Sequence, residues 1–352
     1  MHIPDGFIDV PTAATTGAVS LGVVAYAVRR TGKNLGERTI PLLGVTAAFV
    51  FAAQMLNFPV AGGTSGHFLG AMLCAALLGP WAATVVMTVV LIVQALGMAD
   101  GGITALGANV FNMGILAVFV GFGVFMGLKR ILPHTHAGYM VSAAVASWVS
   151  VVAASLACSA ELALSGTVPV GIALPAMVSV HMIIAIGEAL ITTALVGAVL
   201  ATRPDLVKTF DLPRGGPPAS GRPGRQANRA RFWSVVAAAL VVAIALAVFV
   251  SPFASSAPDG LERVAADKGF ESAAAEEPTW AWSPLRDYQF PGLHNEKVAT
   301  AVAGLLGTIV LFGLVVLVGR AASGRRSAPG ARPPSRDEPP DLSPPAHTQK
   351  RV

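Results

Sequence analysis

Charge is scarce in this sequence: 12% of its residues are Asp, Glu, Lys or Arg, against 54% hydrophobic. A soluble domain carries about 25% charged residues, so a water-facing surface along the whole chain is excluded. Cysteine is nearly absent. Cys74 and Cys158 sit inside apolar runs without CxxC spacing and read as small buried residues rather than metal ligands. No GxxxxGK[ST] motif occurs, so any ATP hydrolysis is expected on another polypeptide. HExxH is missing, and no nucleophile–base constellation stands out, which argues against an enzyme. The basic residues form no stripe interleaved with aromatics, so nucleic-acid binding is set aside. The first eleven residues, MHIPDGFIDVP, hold no Lys or Arg. A secretory signal needs a positive n-region, so Met1 is expected to be the mature terminus, and the large His2 disfavours removal of the methionine.

What the chain does contain is apolar runs of membrane-spanning length. Span length predicts nine helices, at 12–29, 39–57, 66–79, 82–99, 106–128, 139–161, 172–201, 232–251 and 297–319. The third is short and rich in small residues, and reads as tilted, broken or partly re-entrant. Basic residues cluster after helix one (Arg29, Arg30, Lys33, Arg38), after helix five (Lys129, Arg130) and after helix seven (Arg203, Lys208). They cluster again before helix eight (Arg214 to Arg231) and after helix nine (Arg320, Arg325, Arg326). Nine spans put all of these on one side. The positive-inside rule then predicts an outside N-terminus and a cytoplasmic C-terminus. Composition divides the chain into a seven-helix unit (1–202), a Pro/Gly/Arg-rich cytoplasmic linker (203–231), a two-helix unit (232–320) and a tail (321–352) expected to be disordered. The outside loop of the two-helix unit, 252–296, is acidic on balance, with eight Asp or Glu. It reads either as a vestibule that concentrates cations or as an ordinary solvated loop.

The chemistry gathers at the amino end. A free terminus with His second offers the α-amine, the His2 amide and the His2 ring Nδ1 in sequence, closing a five- and then a six-membered chelate ring. Nitrogen donors in a plane suit Ni²⁺ and Cu²⁺. One position stays open, and His67, in NFPVAGGTSGHFLG on the predicted outer side, is the candidate for it. Gly62, Gly63 and Gly66 let another backbone approach closely. An intramembrane histidine is a functional candidate by default. Other polar groups at depth are Gln54, Asn109 and Asn112, with His181 and Glu188 on one helix face. Asn109, Asn112, His181 and Glu188 could orient a metal ligand or simply bond across helices. His134 and His136 look like inside loop residues, and His294 and His347 carry no pattern. Small residues recur at four-residue spacing at Ala14, Ala18 and Gly22, and at Gly44, Ala48 and Ala52. Such stripes pack helices within the chain or dock a partner.

The opening MHIPDGF resembles the start of the CbiM/NikM subunits, the substrate-capture components of energy-coupling factor (ECF) transporters. GGTSGHFLGAML, GGITALGANVFNMG and HMIIAIGEALIT are similar to motifs of that family, over roughly residues 1–202. PDGLE at Pro258 to Glu262, with the later SPLRDYQFPGL, resembles the small N component, here fused behind the M component. The resemblance implies an all-α polytopic fold, with a seven-helix S-component-like M unit and a two-helix N unit. It implies Ni²⁺ or Co²⁺ as transported ligand on Met1, His2 and His67, no cofactor, and a place in the bacterial cell membrane. It also implies a separate transmembrane coupling (T/Q) subunit and cytoplasmic ATPases. Two other readings stay open. One is a stand-alone secondary transporter or channel using Glu188, Glu161 and Asp100. The other is an intramembrane zinc enzyme built on His67, His181 and Glu188.

Overall fold

The computed structural model describes residues 1–210, apart from 34, 37, 61 and 62, and residues 225–323. The readings of most of the linker, of the tail and of Gly62 lie outside these residues. Within them the chain is almost entirely helical: α1 (Val10–Gly32), α2 (Thr39–Gln54), α3 (Ala71–Leu78), α4 (Pro80–Val93), α5 (Leu106–Asn109), α6 (Ala117–Ile131), α7 (His136–Leu164), α8 (Val170–Thr202), α9 (Arg225–Ala245), α10 (Gly260–Lys268) and α11 (Glu296–Ser323). A two-stranded antiparallel hairpin, β1 (Phe58–Val60) and β2 (Thr64–Gly66), precedes α3. Among the described residues, seven helices are long and apolar enough to cross a membrane, and α2 is a shorter apolar helix. This is a multi-pass membrane protein.

Local chemistry sets the helix ends. The Asp9 side chain accepts from Thr12 N at the start of α1, Pro11 occupies its first turn, where its missing N–H costs nothing, and Arg29 and Arg30 end it, where the helix dipole favours cations. Two π-helical turns, Gln94–Met98 and Val110–Leu116, flank the Asp100 turn.

The third predicted span, 66–79, is not one helix. Gly66 ends the hairpin, residues 67–70 are irregular, and only Ala71–Leu78 is helical. Gly70 has φ +83°, a conformation that stops a helix and favours glycine. The N–H groups of Leu69 and Gly70 donate instead to Glu188, at 2.7 and 2.9 Å. The helical residues rise about 12 Å, and residues 67–70, turned at Gly70, add at most about 13 Å more. That suffices to join His67 at one end to Leu77 at the other, where Lys208 N donates to Leu77 O at 3.1 Å.

The long helices run between two ends. One carries the described basic clusters: Lys129 Nζ donates to Thr209 O at 2.6 Å, and the Arg38 guanidinium lies 5.9 Å from the Phe232 ring centre. The His136 ring packs there against Phe210, tilted by 50° at 5.1 Å between ring centres. The other end carries Met1, His67 and Asp100. The small-residue stripe of α2 is internal: Gly44 faces Phe312 and Val316 of α11, and Ala48 and Ala52 are fully buried. Ala14, Ala18 and Gly22 instead face outward from α1.

The segment between α9 and α11 is docked, not a free solvated loop. Ser255 N donates to Asn57 O at 2.8 Å, Ser65 N to Pro258 O at 2.8 Å, Ala275 N to Asp5 O at 2.8 Å, and Leu285 N to Gly97 O at 2.9 Å. It covers the end that holds Met1.

Candidate metal centre

The amino end is folded into the protein. Met1 is 4% exposed and Ile3 fully buried. Asn109 clamps Ile3 from both sides: its Oδ1 accepts from Ile3 N at 2.8 Å, and its Nδ2 donates to Ile3 O at 3.1 Å. Asp5 fastens the next turn. One carboxylate oxygen accepts from Thr104 N and Oγ1, at 2.8 and 2.6 Å, and the other from Thr279 N at 2.9 Å. Burial pushes the Asp5 carboxyl up, and the bonds from Thr104 and Thr279 overcome it, holding the group below the usual carboxylate range.

These anchors bring the α-nitrogen of Met1 to 2.8 Å from His67 Nε2. The amine also pairs with the Asp259 carboxylate. The His2 ring centre is 5.2 Å from that of His67, and its Nδ1 pairs with Asp100. Tyr288 Oη donates to the second Asp100 oxygen at 2.5 Å and receives a bond from Gln94 Nε2 at 3.2 Å. His2 Nε2 is buried with no protein partner. Burial alone would raise the Asp100 carboxyl; His2 and the Tyr288 hydroxyl hold it down at about 2. Burial likewise opposes ionisation of Asp259, and the neighbouring amine and His67 overcome it, so Asp259 lies well below the carboxylate range.

A first-row metal holds nitrogen ligands at about 2.0 Å, which sets neighbouring donors about 2.8 Å apart. The Met1–His67 separation has that value. His2 Nδ1, the other ring donor of the terminal chelate, faces Asp100, so chelation requires the ring to exchange that contact for the ion. Among the described residues no three His, Cys, Asp or Glu side chains gather as a metal cage. That weighs against a zinc centre on His67, His181 and Glu188.

The remaining candidates separate. Asn109 serves the amino end. Asn112 does not: its Nδ2 donates to Glu161 at 2.6 Å. His181 Nδ1 bonds Met177 O at 2.8 Å within α8, and its ring lies beside Gly260, where an added Cβ would come within 2.9 Å of the ring. Glu188 supports the residues just after His67, as described above. Asp259, Asp100 and Tyr288 are the site residues that sequence reasoning missed or passed over. The signal available for Asp259 was DGLE, a capping-box pattern that opens α10. A cavity of about 770 Å³ adjoins the site, lined by His2, His67, Asp100, Asp259, Glu262, Asp287, Glu296 and Lys297 among others. Its charge is predominantly negative.

Residues 2–206 match the family described as the cobalt uptake substrate-specific transmembrane region, CbiM. The chain belongs to this family. Residues 233–324 match the PDGLE domain, so the CbiM region is followed here by the unit that carries Asp259 and Tyr288. Over 313 residues the chain is 36% identical to a protein of Archaeoglobus fulgidus named as a fused nickel transport protein, NikMN, covering 88% of this chain and 95% of that one. The fused nickel transport protein NikMN of Rhodobacter capsulatus is 32% identical over 69% of this chain and 71% of its own. A crystal structure of a truncated transition metal transporter aligns with a TM-score of 0.52 at 36% identity, over 57% of this chain and 99% of that one. The CbiM-type fold thus accounts for the seven-helix part, and the fused arrangement recurs in named relatives.

Proposed function

We propose that this protein is the substrate-capture subunit of an ECF-type importer of Ni²⁺ or Co²⁺, binding the ion through the Met1 amine, the His2 amide and imidazole, and His67. The observation that carries this is the buried amine standing 2.8 Å from His67 Nε2. It supports a four-nitrogen site because Met1 and His2 alone supply three donors in chelating sequence, and His67 is at hand for the fourth position. Planar nitrogen coordination favours Ni²⁺, and both nickel and cobalt transport proteins are among the relatives.

In this reading the amino end faces outside and the basic end the cytoplasm, as the positive-inside rule requires. The acidic cavity draws divalent cations toward the site. Binding expels protons from the terminal nitrogens, so affinity rises with pH. Asn109 and Glu188 act through position, one on the amino end and the other on the His67 segment. Release to the cytoplasm is driven by ATPase subunits through a membrane coupling subunit, neither of which this chain supplies. The seven-helix unit and the two-helix unit act as the M and N components of one polypeptide.

Calorimetry on the purified protein tests the donor set. His67→Ala is expected to lose high-affinity Ni²⁺ binding; an unchanged affinity rejects His67 as a ligand. A stand-alone secondary transporter remains the second reading, favoured by the buried Glu188 and Glu161. Liposomes holding this chain alone distinguish the two: metal uptake without ATPase partners supports the secondary transporter, and uptake only with partners supports capture.

A further inference from the structure

We infer that Asp259, which lies in the PDGLE sequence of the two-helix unit, is a positioning carboxylate of the metal centre: it fixes the direction of the Met1 amine so that another face of the nitrogen meets His67. The inference rests on the capture reading above and extends it, because it makes the site incomplete without the second unit.

The amine has two partners, the Asp259 carboxylate and His67 Nε2. Asp259 Oδ2 stands 3.9 Å from His67 Nε2, so it bears on the amine from a different side. An ion between the amine and His67 takes the position now directed at the imidazole. The coordinated amine still carries two hydrogens, and one continues to donate to Asp259. The carboxylate therefore stays outside the donor set and sets its orientation, as outer carboxylates do for metal-bound groups generally.

Each residue of the segment holds that carboxylate in place. Asp259 Oδ1 accepts from Leu261 N at 2.8 Å and from Glu262 N at 2.9 Å, and Glu262 accepts from Asp259 N at 3.0 Å, completing a capping box. Leu261 is 1% exposed. Gly260 lies against the His181 ring with no room for a Cβ. On the other unit, Ser65, two residues before His67, binds Pro258 O through its N–H and Ala257 O through its hydroxyl, each at 2.8 Å. The same stretch of chain thus carries His67 and seats the segment that orients the amine.

The test uses the full-length protein, with Ni²⁺ as the probe. Asp259→Asn removes the charge but keeps the helix cap, since Asn caps as well as Asp. Its Ni²⁺ dissociation constant is expected to rise about 10- to 100-fold, while the absorption spectrum of the Ni²⁺-saturated protein stays that of wild type. Asp267→Asn, which removes a carboxylate of α10 and its pair with Arg263 outside the cavity and away from the amine, is expected to bind as wild type. Wild-type affinity in Asp259→Asn overturns the inference. An altered spectrum at saturation overturns it too, because Asp259 would then be a ligand. An equal loss in Asp267→Asn assigns the effect to α10 and overturns it likewise. A wild-type protein that binds neither Ni²⁺ nor Co²⁺ instead overturns the capture reading beneath it.

Discussion

Asp5 joins the amino end to the turn at Thr104 and to the docked segment at Thr279. Replacing it by Ala takes the charged acceptor from three donors on Thr104 and Thr279, residues that water reaches, a loss of about 1–2 kcal/mol. We expect Asp5→Ala to lower the melting temperature in detergent and to raise hydrogen exchange at residues 275–279; unchanged exchange would mean the bonds are not made. The folded pKa of Asp5 is depressed, so its contribution is complete above the unfolded value of about 3.9 and is lost as pH falls through the lower folded value. Exchange protection of that segment should accordingly be flat from neutral pH down to about 4 and decline below it. At this scale the site was partly legible. Met1 and His2 announce a chelate by their order alone, and His67 by its rarity in an apolar stretch. Asp259 is 258 positions from Met1, and nothing local says that a helix-capping aspartate also meets the chain terminus.

Glu188 decides how α3 begins. Its two oxygens take the N–H groups of Leu69 and Gly70, and these residues follow His67 directly. Glu188→Ala leaves both groups buried and unpaired, a cost of about 2–6 kcal/mol. We expect that variant to lose thermal stability and Ni²⁺ affinity together, with Glu188→Gln, which keeps one acceptor, in between. If Glu188→Ala lowers stability but leaves affinity untouched, the His67 segment does not depend on this contact. The long elements were legible because a span announces itself by length and hydropathy; α8 was expected at 172–201 and occupies Val170–Thr202. A break in the third span was legible from its shortness and its small residues, but the hairpin and the place of the break were not, because nothing local says that a distant carboxylate claims the N–H groups of Leu69 and Gly70.

Across the whole molecule, all described basic clusters gather at the end opposite Met1. Cys74 and Cys158 are buried, so cysteines introduced elsewhere report topology without interference. Ser272→Cys, in the docked segment, should react with an impermeant maleimide in intact cells, and His134→Cys, beside Lys129 and Arg130, only after permeabilisation; the reverse pattern would invert the molecule. Of the nine expected spans, seven appear among the described residues as helices long and apolar enough to cross a membrane, that at 39–57 is a shorter helix and that at 66–79 is broken; the order of these segments was legible from the alternation of apolar runs and basic clusters. That the two-helix unit folds over the amino end was not, because such docking depends on contacts between residues about 200 positions apart, Ser65 with Pro258 among them. The account as a whole depends on a free α-amine in register with His2. Inserting one alanine before Met1 moves the histidine out of the second position and leaves every helix intact. Calorimetric titration of Ni²⁺ into the native and extended proteins measures this directly: we predict tight binding to the native protein and none of comparable affinity to the extended one, and equal affinity for both would contradict the account.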